Sequence, residues 1–83
     1  MSRKILVVDD EPQIIKVLKG YLEKAGFQVV TAGDGQMALA LFQREKPDFV
    51  ILDLNLPGMD GLEICTAIRR ESNVPILMLT ARV

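Results

Sequence analysis

The sequence contains no histidine, no tryptophan and a single cysteine, Cys65. One cysteine cannot close a disulfide within the chain, so a reducing, cytoplasmic setting is the expectation. Basic residues do not dominate: ten Lys and Arg stand against eleven Asp and Glu, for a net charge of −1. Without a basic stripe, direct nucleic-acid contact by this stretch is not expected. No segment approaches the ~20 apolar residues of a membrane span. The first apolar run is short and ends in acids, which does not fit a signal peptide. Internal repeats and low-complexity tracts are absent. There is also no Gly-x-Gly-x-x-Gly after the first apolar run. The residues there are Asp9-Asp10-Glu11-Pro12, which would repel a phosphate unless a metal intervened, so a dinucleotide or flavin site is a poor reading.

The 83 residues are 49% apolar and 25% charged, a balance that suits one globular domain with a core of its own. Ile5-Leu6-Val7-Val8, Phe49-Val50-Ile51-Leu52 and Ile76-Leu77-Met78-Leu79 are continuous apolar runs, the pattern of strands buried on both faces. Residues 27–32 alternate loosely around Val29-Val30 and read as a further strand. Between the runs, apolar residues recur at helical spacing. A first helix over 12–25 starts at Pro12, places Ile14, Ile15, Leu18, Leu22 and Ala25 on one face, and stops before Gly26. A second over 36–45 carries Ala38, Leu39, Leu41 and Phe42. A third over 61–70 turns Leu62, Ile64, Cys65 and Ile68 toward the core or its flank, with Cys65 read as packing rather than a redox site. Strands alternating with helices imply three right-handed βαβ units and a parallel sheet.

Three of the four strands end in a small polar or acidic residue at the same sheet edge: Asp9-Asp10, Asp53 and Thr80. In open parallel sheets ligands bind at the carboxyl ends of the strands. Taken singly, these residues read better as helix caps, turn residues or acids facing a helix dipole. Together they point to chemistry. If the first and third strands are neighbours, Asp9, Asp10 and Asp53 converge, and three carboxylates at such range cannot all stay ionised unaided. A hard divalent cation relieves the repulsion, and Mg²⁺ typically takes one or two carboxylates plus phosphate oxygens and waters. A carboxylate beside it can attack phosphorus and form an acyl phosphate. Thr80 is then placed to donate its hydroxyl to a phosphoryl oxygen.

The three motifs Ile5-Leu6-Val7-Val8-Asp9-Asp10-Glu11, Asp53-Leu54-Asn55-Leu56-Pro57-Gly58-Met59-Asp60-Gly61 and Leu79-Thr80-Ala81, in this order, resemble the receiver domain of two-component response regulators. The resemblance covers the whole chain. It implies a flavodoxin-like, three-layer α/β/α fold of the CheY-like kind, with residues 1–83 forming one receiver unit. Asp53 would be the phosphoacceptor, taking a phosphoryl group from a sensor histidine kinase. Asp10 would bind Mg²⁺ directly, Asp9 mainly through water, and Asn55 would complete the metal shell with its backbone carbonyl. Thr80 would be the switch hydroxyl. Arg69-Arg70-Glu71-Ser72 through Pro75, with Thr80-Ala81-Arg82, is similar to the subfamily that carries a winged-helix DNA-binding domain, which implies a transcriptional output in a longer parent.

Receivers usually have five strands and five helices. The pattern here supplies four strands, in the implied order 2-1-3-4, and three helices. A fifth strand with its lysine, the last two helices and the aromatic switch residue have no counterpart. The fourth strand would then be an exposed apolar edge, and the chain is expected to dimerise, swap elements or take a complementary piece. Two other readings stay open: a half-domain with a structural or assembly role, and a Mg²⁺-dependent aspartyl-phosphate phosphatase. The phosphatase reading suffers because Asn55 stands where such enzymes carry a second acid, and an amide cannot exchange a proton in that role.

Overall fold

The computed structural model describes residues 3–79. Its elements run β1 (Lys4–Val8), α1 (Pro12–Lys24), β2 (Gln28–Ala32), α2 (Gly35–Glu45), β3 (Phe49–Asp53), α3 (Gly61–Arg69) and β4 (Ile76–Leu79). The four strands form one parallel sheet in the order β2-β1-β3-β4. Thr80, with Ala81 and Arg82, lies outside the described residues.

Strand burial follows from the sequence runs. β1 and β3 are central, and Leu6, Val7, Val8, Val50 and Leu52 are fully buried. Alternate side chains point to opposite faces. Leu6, Val8, Val50 and Leu52 pack with Ala38 and Phe42 of α2 and Ile64 and Ile68 of α3. Ile5, Val7 and Ile51 point the other way, onto Ile15, Leu18 and Leu22 of α1. α1 therefore covers one face, and α2 and α3 cover the other. Cys65 is partly buried and packs against the α2–α3 core. At the β4 edge, Leu77 is 49% and Met78 39% exposed.

Local chemistry sets the helix ends. Asp34 caps α2, its carboxylate accepting from the Met37 N–H at 2.8 Å. The helix thus begins at Gly35, one residue before the pattern of apolar residues suggests. α3 opens with a reciprocal cap: Asp60 accepts from the Leu62 N–H at 3.0 Å, and Glu63 accepts from the Asp60 N–H at 3.4 Å. Gly26 follows α1 with φ at +100°, the left-handed conformation that suits glycine at a helix exit. α2 ends on Lys46, which takes a φ of 48° without being glycine.

Two inward assignments from the sequence are corrected. Leu62 is 58% exposed, because the cap sets the inward stripe of α3 to Gly61, Ile64 and Ile68. At about 100° per residue, Leu62 then faces out. Ala25 is also exposed; it is the C-cap of α1 and turns away as the helix ends.

Candidate metal and phosphoryl site

The register of the central strands brings the acids together. Val8 of β1 pairs with Leu52 of β3, so Asp9 and Asp53 follow at the same position along adjacent strands. The Asp9 N–H donates to the Ala32 carbonyl at 3.1 Å, which carries the ladder one residue past β1. On the other side, the Leu54 N–H donates to the Leu79 carbonyl at 3.1 Å. The strand ends are thereby held rigidly where the acids leave the sheet.

Asp9, Asp10 and Asp53 each offer one carboxylate oxygen to a cluster whose members lie within 4.8 Å of one another. Asp9 is 2% and Asp53 8% exposed, while Asp10 is open to solvent. Asp9 Oδ1 accepts from the Glu11 N–H at 2.9 Å. Asp53 Oδ1 accepts from the Asn55 N–H at 3.0 Å. Each buried carboxylate is thus oriented by an amide two residues later. Among the described residues none of the three acids has an ion-pair partner; the ion pairs there join Glu45 to Lys4 and to Arg44. Burial pushes the Asp9 carboxyl above its ordinary value; the Glu11 N–H works against this, and the charges of Asp53 and Asp10 add to it.

The donor set decides what fits. Three carboxylates with no cationic side chain paired to them among the described residues suit a hard divalent cation and exclude an anion on its own. At 4.8 Å each like-charge pair costs ~3.5 kcal/mol at an effective dielectric of ~20. A divalent ion between the oxygens reverses the sign of that term. Asn55 is exposed at the start of the loop that leaves β3. Its N–H is committed to Asp53, so its backbone carbonyl and its side-chain amide are the polar groups it has left to offer. A shallow depression of about 610 Å³ along the outer side of α1 is lined by Lys16, Val17 and Tyr21 among others and contains no acid, so it is separate from this chemistry.

The sequence named Asp9, Asp10, Asp53 and Asn55, and the first three are brought together; Asn55 follows at the mouth. Sequence reasoning missed the amides of Glu11 and Asn55 as orienting groups. The signal was present: an Asp two residues before the amide it caps is the common Asx turn.

A parallel sheet carrying an acidic cluster at the carboxyl edge of its two central strands defines an α/β domain of the flavodoxin-like type. Comparison with known proteins narrows this. The family model described as the response regulator receiver domain matches residues 5–83. The chain is 49% identical over 83 residues to the alkaline phosphatase synthesis transcriptional regulatory protein PhoP of Bacillus subtilis, covering 99% of this chain and 35% of that protein. Among solved structures it superposes on the chemotaxis response regulator CheY4 of Vibrio cholerae with a TM-score of 0.94 at 41% identity, covering all of this chain and 72% of that one. The BeF3-activated N-terminal receiver domain of RstA from Klebsiella pneumoniae gives 0.91 at 39% identity, covering 96% and 68%. The chain belongs to the response regulator receiver domain family. It spans about a third of the length of the curated relatives it matches.

Proposed function

We propose that this chain is the phosphoacceptor portion of a response regulator, with Asp53 taking the phosphoryl group. One observation carries the reading: two buried carboxylates from adjacent strand ends and a third, exposed one meet within 4.8 Å. A structural role would not require such an arrangement, which costs stability unless a cation is bound. Asp9, Asp10 and Asp53 would hold Mg²⁺ with their carboxylates, and Asn55 with its backbone carbonyl. When bound, the ion neutralises charge on the transferring phosphoryl oxygens.

The chain's own residues do the rest. The Asn55 N–H fixes Oδ1 of Asp53, leaving Oδ2 as the nucleophile. That oxygen attacks phosphorus of a phosphohistidine on a sensor kinase. The P–N bond breaks, a P–O bond forms, and the imidazole leaves and takes a proton. Thr80 donates its hydroxyl to a phosphoryl oxygen of the product. Transfer is self-catalysed by the domain rather than a turnover reaction on a separate substrate. The output, read from the transcriptional regulators among the relatives, is control of transcription through a DNA-binding domain of the parent protein. The setting is the cytoplasm. Residues 1–83 act as one unit, the β1-to-β4 portion of the domain, and the apolar edge at Leu77 and Met78 pairs with a second copy or a complementary segment.

The test is incubation of the purified chain with a small acyl phosphate or a phosphorylated kinase, with and without Mg²⁺, read by intact mass. A Mg²⁺-dependent gain of one phosphoryl group, lost in Asp53→Asn, is expected. A gain that survives Asp53→Asn overturns the assignment.

A further inference from the structure

The loop between β3 and α3, residues 54–60, begins one residue after Asp53 and carries Asn55. Among the described residues, the hydrogen bonds made by its middle are local. The Asn55 N–H goes to Asp53 and the Met59 N–H to the Pro57 carbonyl at 2.9 Å. The ends of the loop are tied, by the Leu54 N–H to the Leu79 carbonyl and by the Asp60 cap on α3, but hydrogen bonds among the described residues hold 55–59 only to their own neighbours. Close packing holds it as well: Leu56 is buried in the core beside α2 and α3, and two glycines meet the loop closely. A methyl group placed on Gly61 would lie 2.8 Å from Leu54 Cα and 3.2 Å from the Asp53 carbonyl oxygen. A methyl group placed on Gly35, the first residue of α2, would lie 2.7 Å from Met59 Cβ and 2.8 Å from its sulfur. Both contacts are shorter than a side chain tolerates, and each meets backbone or a Cβ rather than the free end of a side chain. Met59 is half-buried against the α2–α3 core, while the neighbouring Pro57 and Gly58 border an open cavity of about 380 Å³.

We propose that Gly35 and Met59 are positioning residues for the metal site. The seat that Gly35 provides for Met59, together with the buried Leu56, fixes the middle of the loop and so sets where Asn55 presents its carbonyl. Gly35 sits on another element, 20 positions before Asn55 in the sequence. A side chain there displaces Met59 Cβ, hence the Met59 backbone, hence the loop. The conformational freedom of glycine is not the reason for Gly35, which is helical; the closeness of Met59 is. This inference rests on the Mg²⁺ reading of Asp9, Asp10, Asp53 and Asn55, and deepens it by naming what tunes the affinity.

The experiment is a Mg²⁺ titration followed by the amide resonances of Asp10, Asp53 and Asn55, run on the wild-type chain and four variants. Outer groups that orient metal ligands typically account for ~10–100-fold in affinity. Gly35→Ala is therefore expected to weaken Mg²⁺ binding by ~10-fold or more, and adding Met59→Gly, which relieves the overlap but leaves no side chain in the seat, to raise it only to about the level of Met59→Ala. Met59→Ala creates no overlap and guards against a Gly35 variant that fails to fold; it is expected to weaken binding several-fold by leaving the seat empty. Gly20→Ala is the control, because Gly20 has open space around it, and should leave affinity unchanged. A merely structural role for Gly35 would lower the denaturation midpoint without Mg²⁺ and leave the affinity alone. Wild-type affinity in both Gly35→Ala and Met59→Ala, or failure of Met59→Gly to lift Gly35→Ala toward the Met59→Ala level, overturns the positioning role while the metal site stands. No saturable shift in the wild-type chain overturns the metal site and the positioning role with it.

Discussion

Asp9→Asn should stabilise the metal-free chain and weaken its response to Mg²⁺. Asp9 is buried, and its carboxylate faces those of Asp53 and Asp10 within 4.8 Å. Each repulsive pair costs between ~0.9 kcal/mol at the dielectric of water and ~3.5 kcal/mol at an effective value of ~20. The pair with exposed Asp10 belongs near the lower figure, and the pair with buried Asp53 lies higher. Asparagine removes the charge but keeps an oxygen for the Glu11 N–H, so the turn survives. A net gain of at least ~1 kcal/mol is expected at low ionic strength, which raises Tm by ~4–8 °C for a domain of this size. The pH dependence fixes the sign. The Asp9 carboxyl titrates above its ordinary value in the fold, so ionised Asp9 costs stability above that folded pKa. The cost disappears as pH falls below the ordinary value, because protonation then does what the substitution does. The advantage of Asp9→Asn must therefore shrink toward acid. Saturating Mg²⁺ should reverse the ranking, since 100-fold excess over Kd stabilises the wild type by ~2.7 kcal/mol. Thermal unfolding of both chains, at neutral and acid pH and with and without Mg²⁺, reads all of this. Destabilisation of metal-free Asp9→Asn at neutral pH, or an equal Mg²⁺ response in both chains, would refute the reasoning.

The Lys4 ammonium holds Glu45 below its ordinary carboxylate value, mainly through a hydrogen bond of 2.9 Å. The stability this tie contributes is present above the ordinary value of 4.5 and is lost as pH falls through the lowered one; Glu45→Gln should flatten that acid limb in denaturant titrations. On α3, Ile64→Ala should cost ~2–5 kcal/mol because Ile64 is fully buried, whereas Leu62→Ala should stay within ~0.5 kcal/mol; chemical denaturation separates them. Association through the β4 edge should appear as concentration-dependent sedimentation that Leu77→Glu reduces, and sedimentation unaffected by that change would remove the edge from consideration.

Much of the fold was legible because continuous apolar runs and helical spacing are strong signals. The runs at Ile5–Val8, Phe49–Leu52 and Ile76–Leu79 gave three of the four strands with boundaries correct to one residue. The acidic site was legible only conditionally. Asp9, Asp10 and Asp53 converge because β1 and β3 are neighbours, and adjacency is a tertiary fact that spacing alone does not decide. Leu62 was misassigned because apolarity was read without the cap: once Asp60 starts the helix, the phase of the inward stripe is set and Leu62 lies outside it. The seat of Met59 on Gly35 left no trace in the pattern. A glycine beside Asp34 reads as turn punctuation, and only packing shows that it makes room for a residue 24 positions away.

The acidic edge as a divalent-cation site is tested most directly by the amide spectrum of the chain across a Mg²⁺ titration. Saturable shifts centred on Asp10, Asp53 and Asn55, abolished by Asp10→Asn and competed by protons as pH falls through the raised Asp9 value, are the expected result. A dispersed spectrum that ignores Mg²⁺ at every pH would contradict it.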